Sequence, residues 1–374
     1  GLFMALPLLA LYAADMRGAT PLLIGLALGA YGFTQALLQI PFGWLSDRLG
    51  RKPVILAGLL LFVLGSAVAA LADSVAVVAL GRALQGAGAI SASVMALAAD
   101  LTSTEQRTKA MAVIGISIGL SFAAALVCGP LLAAWGGLSA VFWTTALLGA
   151  VGMGIIAWGV PSAATREHAD IGARRGMFAP VLRDTLLQRL DGSVFLLHFT
   201  LTASFLVVPL VIEERLGVPR DLHWRVYLPV LLISLLGMYP FMYLSERRRR
   251  PLAALRTAVL LLPLALAVLF LSPRALWLYP ALCLFFAAVN YLEAALPALV
   301  SKAVATHGKG TALGVYASCQ FLGAFAGGAS GGWVYGAAGL PGLLWLCLGA
   351  LTLWLLLIWR VPAPAPAPFA AGTA

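Results

Sequence analysis

The sequence predicts an all-α integral membrane protein of twelve transmembrane helices in two pseudo-symmetric six-helix bundles. Three observations carry that prediction. Of its 374 residues, 62% are hydrophobic and 10% charged; a soluble domain has about 45–50% and about 25%, so a water-soluble globule is excluded. Apolar runs recur between short polar breaks at the length of a membrane span, about 20 residues. The basic residues gather on alternate breaks, as expected of a chain that threads back and forth across a bilayer.

The apolar segments, taken in order, justify each helix. The first, 1 to 13, is short and ends before Asp15; it reads as a helix that has lost its beginning, since neither a basic leader nor a small-residue cleavage site marks a signal peptide. Segments 20 to 45, 53 to 72, 74 to 99, 108 to 134 and 138 to 160 complete an N-terminal bundle, residues 1–160. Residues 161–191 form the longest hydrophilic stretch and read as a cytoplasmic linker. Within it, 177 to 190 place Phe178, Val181, Leu182, Leu186 and Leu190 near one helical face, which predicts a short interfacial helix. Segments 192 to 212, 224 to 244, 252 to 271, 275 to 300, 311 to 336 and 341 to 359 make a C-terminal bundle, 192–360, followed by a Pro/Ala-rich tail, 361–374, of polyproline type.

The charge balance of +10 is explained by topology. With odd segments running from inside to outside, 18 of the 24 Lys and Arg residues fall on one face and five on the other, with Arg82 inside the fourth segment. The basic face is therefore cytoplasmic, and both termini lie on it. Basic loops without interleaved aromatics give no reason to expect nucleic acid. The cysteines, Cys128, Cys283, Cys319 and Cys347, lack metal-ligand spacing and read as packing residues. No phosphate-binding loop of the GxxxxGK[ST] type is present, which argues against ATP-driven transport by this chain. Paired acids, a nucleophile elbow and a metal cluster are likewise missing from the segments, so an enzyme is not expected.

The two halves echo each other, the mark of a parallel internal repeat. Ser46-Asp47-Arg48-Leu49-Gly50-Arg51-Lys52-Pro53 follows the second segment of one half, and Ser245-Glu246-Arg247-Arg248-Arg249-Arg250-Pro251 follows the second of the other. An offset of 202 residues lays Val113 on Val315, Gly129 on Gly331 and Gly137 on Gly339.

Chemistry concentrates at Gly43-Trp44-Leu45-Ser46-Asp47-Arg48-Leu49-Gly50-Arg51-Lys52. Gly43 permits close approach of another helix at the cytoplasmic rim. Asp47, one turn on, would then receive the amino-terminal dipole of the eleventh helix, where Gly308 and Gly310 offer bare backbone. This loop, GxxxDRxGR[RK] after the second of twelve helices, resembles the signature of the major facilitator superfamily at every defined position. Gly81-Arg82-Ala83-Leu84-Gln85-Gly86-Ala87-Gly88-Ala89 resembles the RxxQGxGA pattern of its drug:proton antiporter branch. Other stretches, among them FFAAVNYLEAALPALVSK and GTALGVYASCQFLG, are similar to YajR-like transporters within that superfamily.

The resemblance implies the major facilitator fold, alternating access, and a conformational latch of Gly43, Asp47, Arg48, Gly50, Arg51 and Lys52 in which Asp100 pairs with Arg51. It also implies a proton-transfer role for Arg82. Gly129 and Pro130 match the start of the antiporter helix-packing motif, but Ala133 and Ala134 stand where that motif has glycines. Some YajR-like relatives carry a small ferredoxin-like domain after the last helix, whereas this sequence stops shortly after PAPAPAPF; either that domain was never present or it lies beyond this sequence.

Polar side chains within the membrane are expensive, which makes each one a functional candidate. Glu293, the sole acid well inside a predicted segment, leads as a proton site, with Arg82 and His198 beside it. Gln35 and Gln39 share a helical face, as do Asn290 and Glu293. With Gln85, Gln320, Tyr31 and Tyr316 they are the candidates to line a substrate cavity.

The expected function is proton-coupled export of a small amphipathic compound across a bacterial inner membrane. The alternatives are a proton symporter or uniporter for a metabolite and, from another class, a receptor or assembly partner that keeps the fold without turnover. The partners expected are the lipid bilayer, a small-molecule substrate and protons, with the chain a monomer. No cofactor or metal is expected, the proton gradient supplying the energy.

Overall fold

The computed structural model describes residues 2–102, 104–161, 179–304 and 309–359. These residues are helical apart from turns and one isolated bridge between Arg17 and Ser74. The N-terminal half comprises α1 (Leu2–Tyr12), α2 (Pro21–Leu49), α3 (Arg51–Ala70), α4 (Val75–Ala87), α5 (Ser91–Asp100) and α6 (Thr104–Gly154). The C-terminal half comprises α7 (Thr185–Phe205), α8 (Val208–Leu216), α9 (Trp224–Gly237), α10 (Pro251–Leu271), α11 (Leu278–Ala303) and α12 (Lys309–Trp359).

Nine helices among the described residues are long and apolar enough to cross a membrane, and a shorter apolar helix, Met4–Asp15, precedes them. Two of the nine are helical hairpins. α6 breaks at Gly136 and Gly137, and α12 breaks at Gly339. Gly137 (φ 65°, ψ −162°) and Gly339 (φ 61°, ψ −157°) have nearly the same dihedrals, in a region open essentially to glycine alone. These are the residues that the 202-residue repeat superposes. Many large apolar side chains are exposed on the outer surface, Trp158, Trp135, Leu236 and Trp345 among them. In water such an extent of exposed apolar surface is unfavourable, whereas lipid accepts it.

The halves meet along α2 and α12, with glycines removing the side chains that would hold the backbones apart. A Cβ on Gly25 would collide with the Gly328 carbonyl, one on Gly29 with the Phe325 backbone, and one on Gly32 with the Phe321 carbonyl. These contacts occupy the part of α2 remote from the α2–α3 turn. At that same end Asp15 accepts from Arg220 of the other half at 2.8 Å, and the Arg220 guanidinium lies 4.8 Å from the Tyr12 ring centroid.

The structure corrects two expectations. Within the predicted linker, residues 162 to 178 lie outside the described residues and 179 to 183 form a short helix with Val181 buried, but the chain breaks at Asp184, so that 185 to 190 do not belong to that helix. They are the first turns of α7, which starts seven residues before the predicted segment at 192. Asp184 caps it, accepting from Leu186 N at 2.8 Å and Leu187 N at 3.0 Å, and the capped start lets the buried face of Leu187, Leu190 and Asp191 continue into the bundle. The second correction concerns Gly43. Among the described residues, a Cβ there would meet only the Ala92 side chain of α5, at 3.7 Å. The close approach between α2 and α12 is made instead by Gly25, Gly29 and Gly32, at the opposite end.

Candidate proton and substrate site

The polar residues singled out in the sequence separate into three groups. In the N-terminal half, α4 lies tightly against α2 and α3. Cβ atoms on Gly65 and Gly81 would each strike the facing backbone, and one on Gly86 would strike the Tyr31 carbonyl. That packing fixes Arg82, which is 2% exposed. Its Nη1 donates to Gln85 Oε1 at 2.9 Å, Gln85 Nε2 donates to Ser66 Oγ at 2.7 Å, and Ser66 donates to the Phe62 carbonyl at 2.7 Å. The guanidinium lies 5.0 Å from the Tyr31 ring centroid, where the π face attracts a cation. Arg82 has no carboxylate partner among the described residues, and its Nε is buried with no acceptor among them. The group remains charged whatever its surroundings, so it acts on its neighbours as a fixed field.

Gln35 and Gln39 are buried in this half as well. Gln35 Nε2 donates to Gln39 Oε1 at 3.2 Å and to Ser91 Oγ at 3.1 Å, at the break between α4 and α5. Together with Gln85 they were expected to line a cavity. Gln35 and Gln85 have partners within the half and Gln39 Oε1 accepts from Gln35, and a buried amide left unpaired would cost about 1–3 kcal/mol.

The second group, in the C-terminal half, brings two of the three proton candidates into contact. His198 on α7 and Glu293 on α11 meet at 3.0 Å between Nε2 and Oε1, and Gln320 Nε2 on α12 lies 2.8 Å from the same imidazole nitrogen. His198 is buried, while the Glu293 side chain keeps 36% of its surface. The Nδ1 of His198 lies 3.2 Å from the Val194 carbonyl oxygen and donates its proton there. The state of Nε2 is then the variable. With the proton on Nε2 the imidazolium donates to an ionised Glu293, and the Gln320 amide must turn its oxygen inward. With the proton on Glu293 the carboxylic acid and the amide N–H compete for one Nε2 lone pair. The geometry is compatible with either arrangement. Asn290, one turn from Glu293, donates to Ser234 Oγ at 3.0 Å and ties α11 to α9. Tyr31 meets Phe321 of the other half edge-on at 6.1 Å, and Tyr316 is buried in α12.

The third group is the α2–α3 turn. Arg51 bridges Asp47, one helical turn away, and Asp100 at the end of α5, its Nε lying 3.0 Å from Asp100 Oδ2. Ser46, which the sequence did not single out, completes the cluster by accepting from Arg51 Nη1 at 2.8 Å and donating to the Gly43 carbonyl at 2.8 Å. Gly50 turns the chain with φ 93°. Arg48 lies over the Trp44 ring at 3.8 Å, and Lys52 donates to the Val160 carbonyl at 3.0 Å. Gly129 lets α1 approach: a Cβ there would lie 3.2 Å from the Met4 carbonyl oxygen, and Pro130 is buried one residue on. Gly308 lies outside the described residues.

Sequence reasoning missed Asp191. It stands one residue before the predicted seventh segment, so it was read as part of a hydrophilic linker, yet it is 8% exposed. Leu187, Leu190 and Val194 around it were the available signal, since they continue the apolar face of α7 below the assumed boundary. A cavity of about 260 Å³ opens between Ala10, Pro21, Ile24, Leu206, Leu210 and Tyr335. It is lined mainly by apolar groups and touches none of the three polar groups above.

This arrangement is that of a multi-pass helical bundle that places polar and ionisable groups between its helices. The description Major Facilitator Superfamily matches residues 1–328, and the chain belongs to that family. It is 44% identical over 338 residues to the inner membrane transport protein YajR of Escherichia coli, covering 90% of this chain and 74% of that one. It is 28% identical over 369 residues to the multidrug resistance protein MdtH of Yersinia enterocolitica, covering 94% and 88%. Among solved structures, the human organic anion transporter MFSD10 (TETRAN) shares the fold with a TM-score of 0.66, at 24% identity over 90% of this chain and 84% of that one.

Proposed function

We propose that the chain is a proton-coupled exporter of small amphipathic compounds, working by alternating access in a bacterial inner membrane. In this reading the helical hairpins and the short first helix bring the number of spans to twelve, and the basic end carrying the α2–α3 turn faces the cytoplasm with both termini. The observation that carries the proposal is the contact of Glu293, His198 and Gln320, which stores one exchangeable proton beside a partly exposed carboxylate. A cationic or hydrogen-bonding substrate that engages Glu293 displaces that proton, which is the competition an antiporter requires. The names of the E. coli and Yersinia relatives support transport and drug export respectively.

Alternation takes place between the glycine contacts of α2 with α12 at one end and the Asp47–Arg51–Asp100 cluster at the other. The free-energy difference between the two states must stay within a few kcal/mol, so that a bound proton or substrate can tip it. One proton moving through 100 mV contributes about 2.3 kcal/mol.

The test is proton release on adding lipophilic cations and neutral drugs to purified protein in detergent, with Glu293→Gln as control. Release that vanishes in the variant supports the exporter. Binding without release from either protein defeats proton competition at Glu293. It brings forward the second reading, a metabolite uniporter or symporter, which the buried Arg82 favours by offering a fixed positive charge to an anionic substrate.

A further inference from the structure

Beyond Glu293 and His198, the C-terminal half contains a second buried acid with nothing to balance its charge. Asp191 is 8% exposed, and its Oδ1 is buried with no hydrogen-bond partner among the described residues. Salt bridges to a cation are absent as well among the described residues. An ionised carboxylate so placed is strongly disfavoured, and the group relieves the cost by binding a proton. Tyr316 on α12 is 5% exposed, and its hydroxyl too has no partner among the described residues.

The helix register relates the two groups. Cβ atoms on Gly323 and Gly327 would strike the Phe195 and Phe199 carbonyls respectively. α7 and α12 therefore run in parallel at an offset of 128 residues, which brings Asp191 level with Cys319 and within one turn of Tyr316. Asp191 also lies seven residues, two turns, before His198 on the same face of α7. The titratable groups that this register brings to the level of Asp191 are Tyr316 and Cys319 of α12.

We infer that Asp191 is a second proton-binding carboxylate, neutral while it is buried and lying between the Glu293–His198 pair and the basic end of the bundle. Release breaks its O–H bond, the proton passing to water at the basic end and the carboxylate becoming ionised. The inference rests on the proton-coupled reading above, but its test needs no substrate.

The experiment is infrared difference spectroscopy of purified protein between acid and alkaline pH, reading the carbonyl stretch of protonated carboxyl groups. Wild type is expected to show bands from both acids. Asp191→Asn removes one band, Glu293→Gln removes the other and keeps the first, and Tyr316→Phe shifts the Asp191 band. Asp191→Glu restores a band at a displaced frequency, which separates loss of the group from loss of the fold. A spectrum of Asp191→Asn identical to wild type overturns the inference, since Asp191 then never changes protonation. A Glu293→Gln spectrum identical to wild type, with one band still removed by Asp191→Asn, leaves Asp191 as the proton site and defeats the role given to Glu293.

Discussion

The two halves share a plan and differ in what they bury. In the N-terminal half a cation, Arg82, is held by Gln85, Ser66 and the Tyr31 ring in a chain of short hydrogen bonds, at sites where glycines bring α2, α3 and α4 together. In the C-terminal half two acids and an imidazole sit among partners that leave lone pairs and hydroxyls unmatched. The difference teaches that a duplicated scaffold divides labour. In the proposed mechanism, a guanidinium that keeps its proton sets the field on one side, and the acids and imidazole of the other half exchange theirs.

The sharpest break of this comparison is Glu293→Gln. It is expected to abolish proton release on drug addition and to reduce drug movement driven by an imposed pH gradient in proteoliposomes to the leak rate. Arg82→Lys is expected to retain the release, because the titrating groups are untouched; release lost in both would erase the division of labour.

Next comes the seam between the halves. Gly328→Val drives a branched side chain into the Gly25 carbonyl and is expected to slow transport at least about tenfold, since about 1.4 kcal/mol against one state shifts the equilibrium tenfold. Size-exclusion chromatography of a monodisperse protein, together with changed alkylation of a cysteine placed at Asn290, checks that the conformational balance moved and not the fold.

Arg82→Lys also probes stability. Lysine cannot reproduce the planar donor set over Tyr31, and Gln85 loses its donor, so a loss of about 1–3 kcal/mol is expected, seen as a lower melting temperature in detergent. Gly137→Ala and Gly339→Ala place a Cβ in a backbone region reserved for glycine, at a cost of order 1–3 kcal/mol each. Equal shifts in melting temperature support the repeat, and a shift at one site alone argues against it. The smallest effect belongs to Asp15→Asn. Its partner pair with Arg220 is exposed, 68% and 40% for the two side chains, and such pairs contribute about 0–1 kcal/mol, less in salt.

Much of this was legible in the sequence. The apolar runs fixed the helices because lipid leaves a backbone no other way to satisfy its N–H and C=O groups. Gly137 and Gly339 could be matched by counting, and the α2–α3 turn by its motif. Linear sequence reported Glu293 and His198 as separate polar residues in apolar helices but not as a pair, since they lie on different helices 95 positions apart. The partners of Gln35 and Gln85 on neighbouring helices, Ser91 and Ser66, were hidden for the same reason. Asp191 was hidden by a boundary, because the polar residues near a helix start look alike whether water or protein surrounds them.

By itself, then, the sequence determined the class, the helical segments, the repeat and the loop that marks the family. Each of these follows from local composition, or from spacing along the chain. Tertiary structure alone decided which polar groups meet, that the close approach of α2 and α12 falls at Gly25 and not Gly43, and that Asp191 is inside. Those outcomes depend on how helices distant in sequence turn their faces toward one another, and that is set by packing, chiefly by where glycines let two backbones touch.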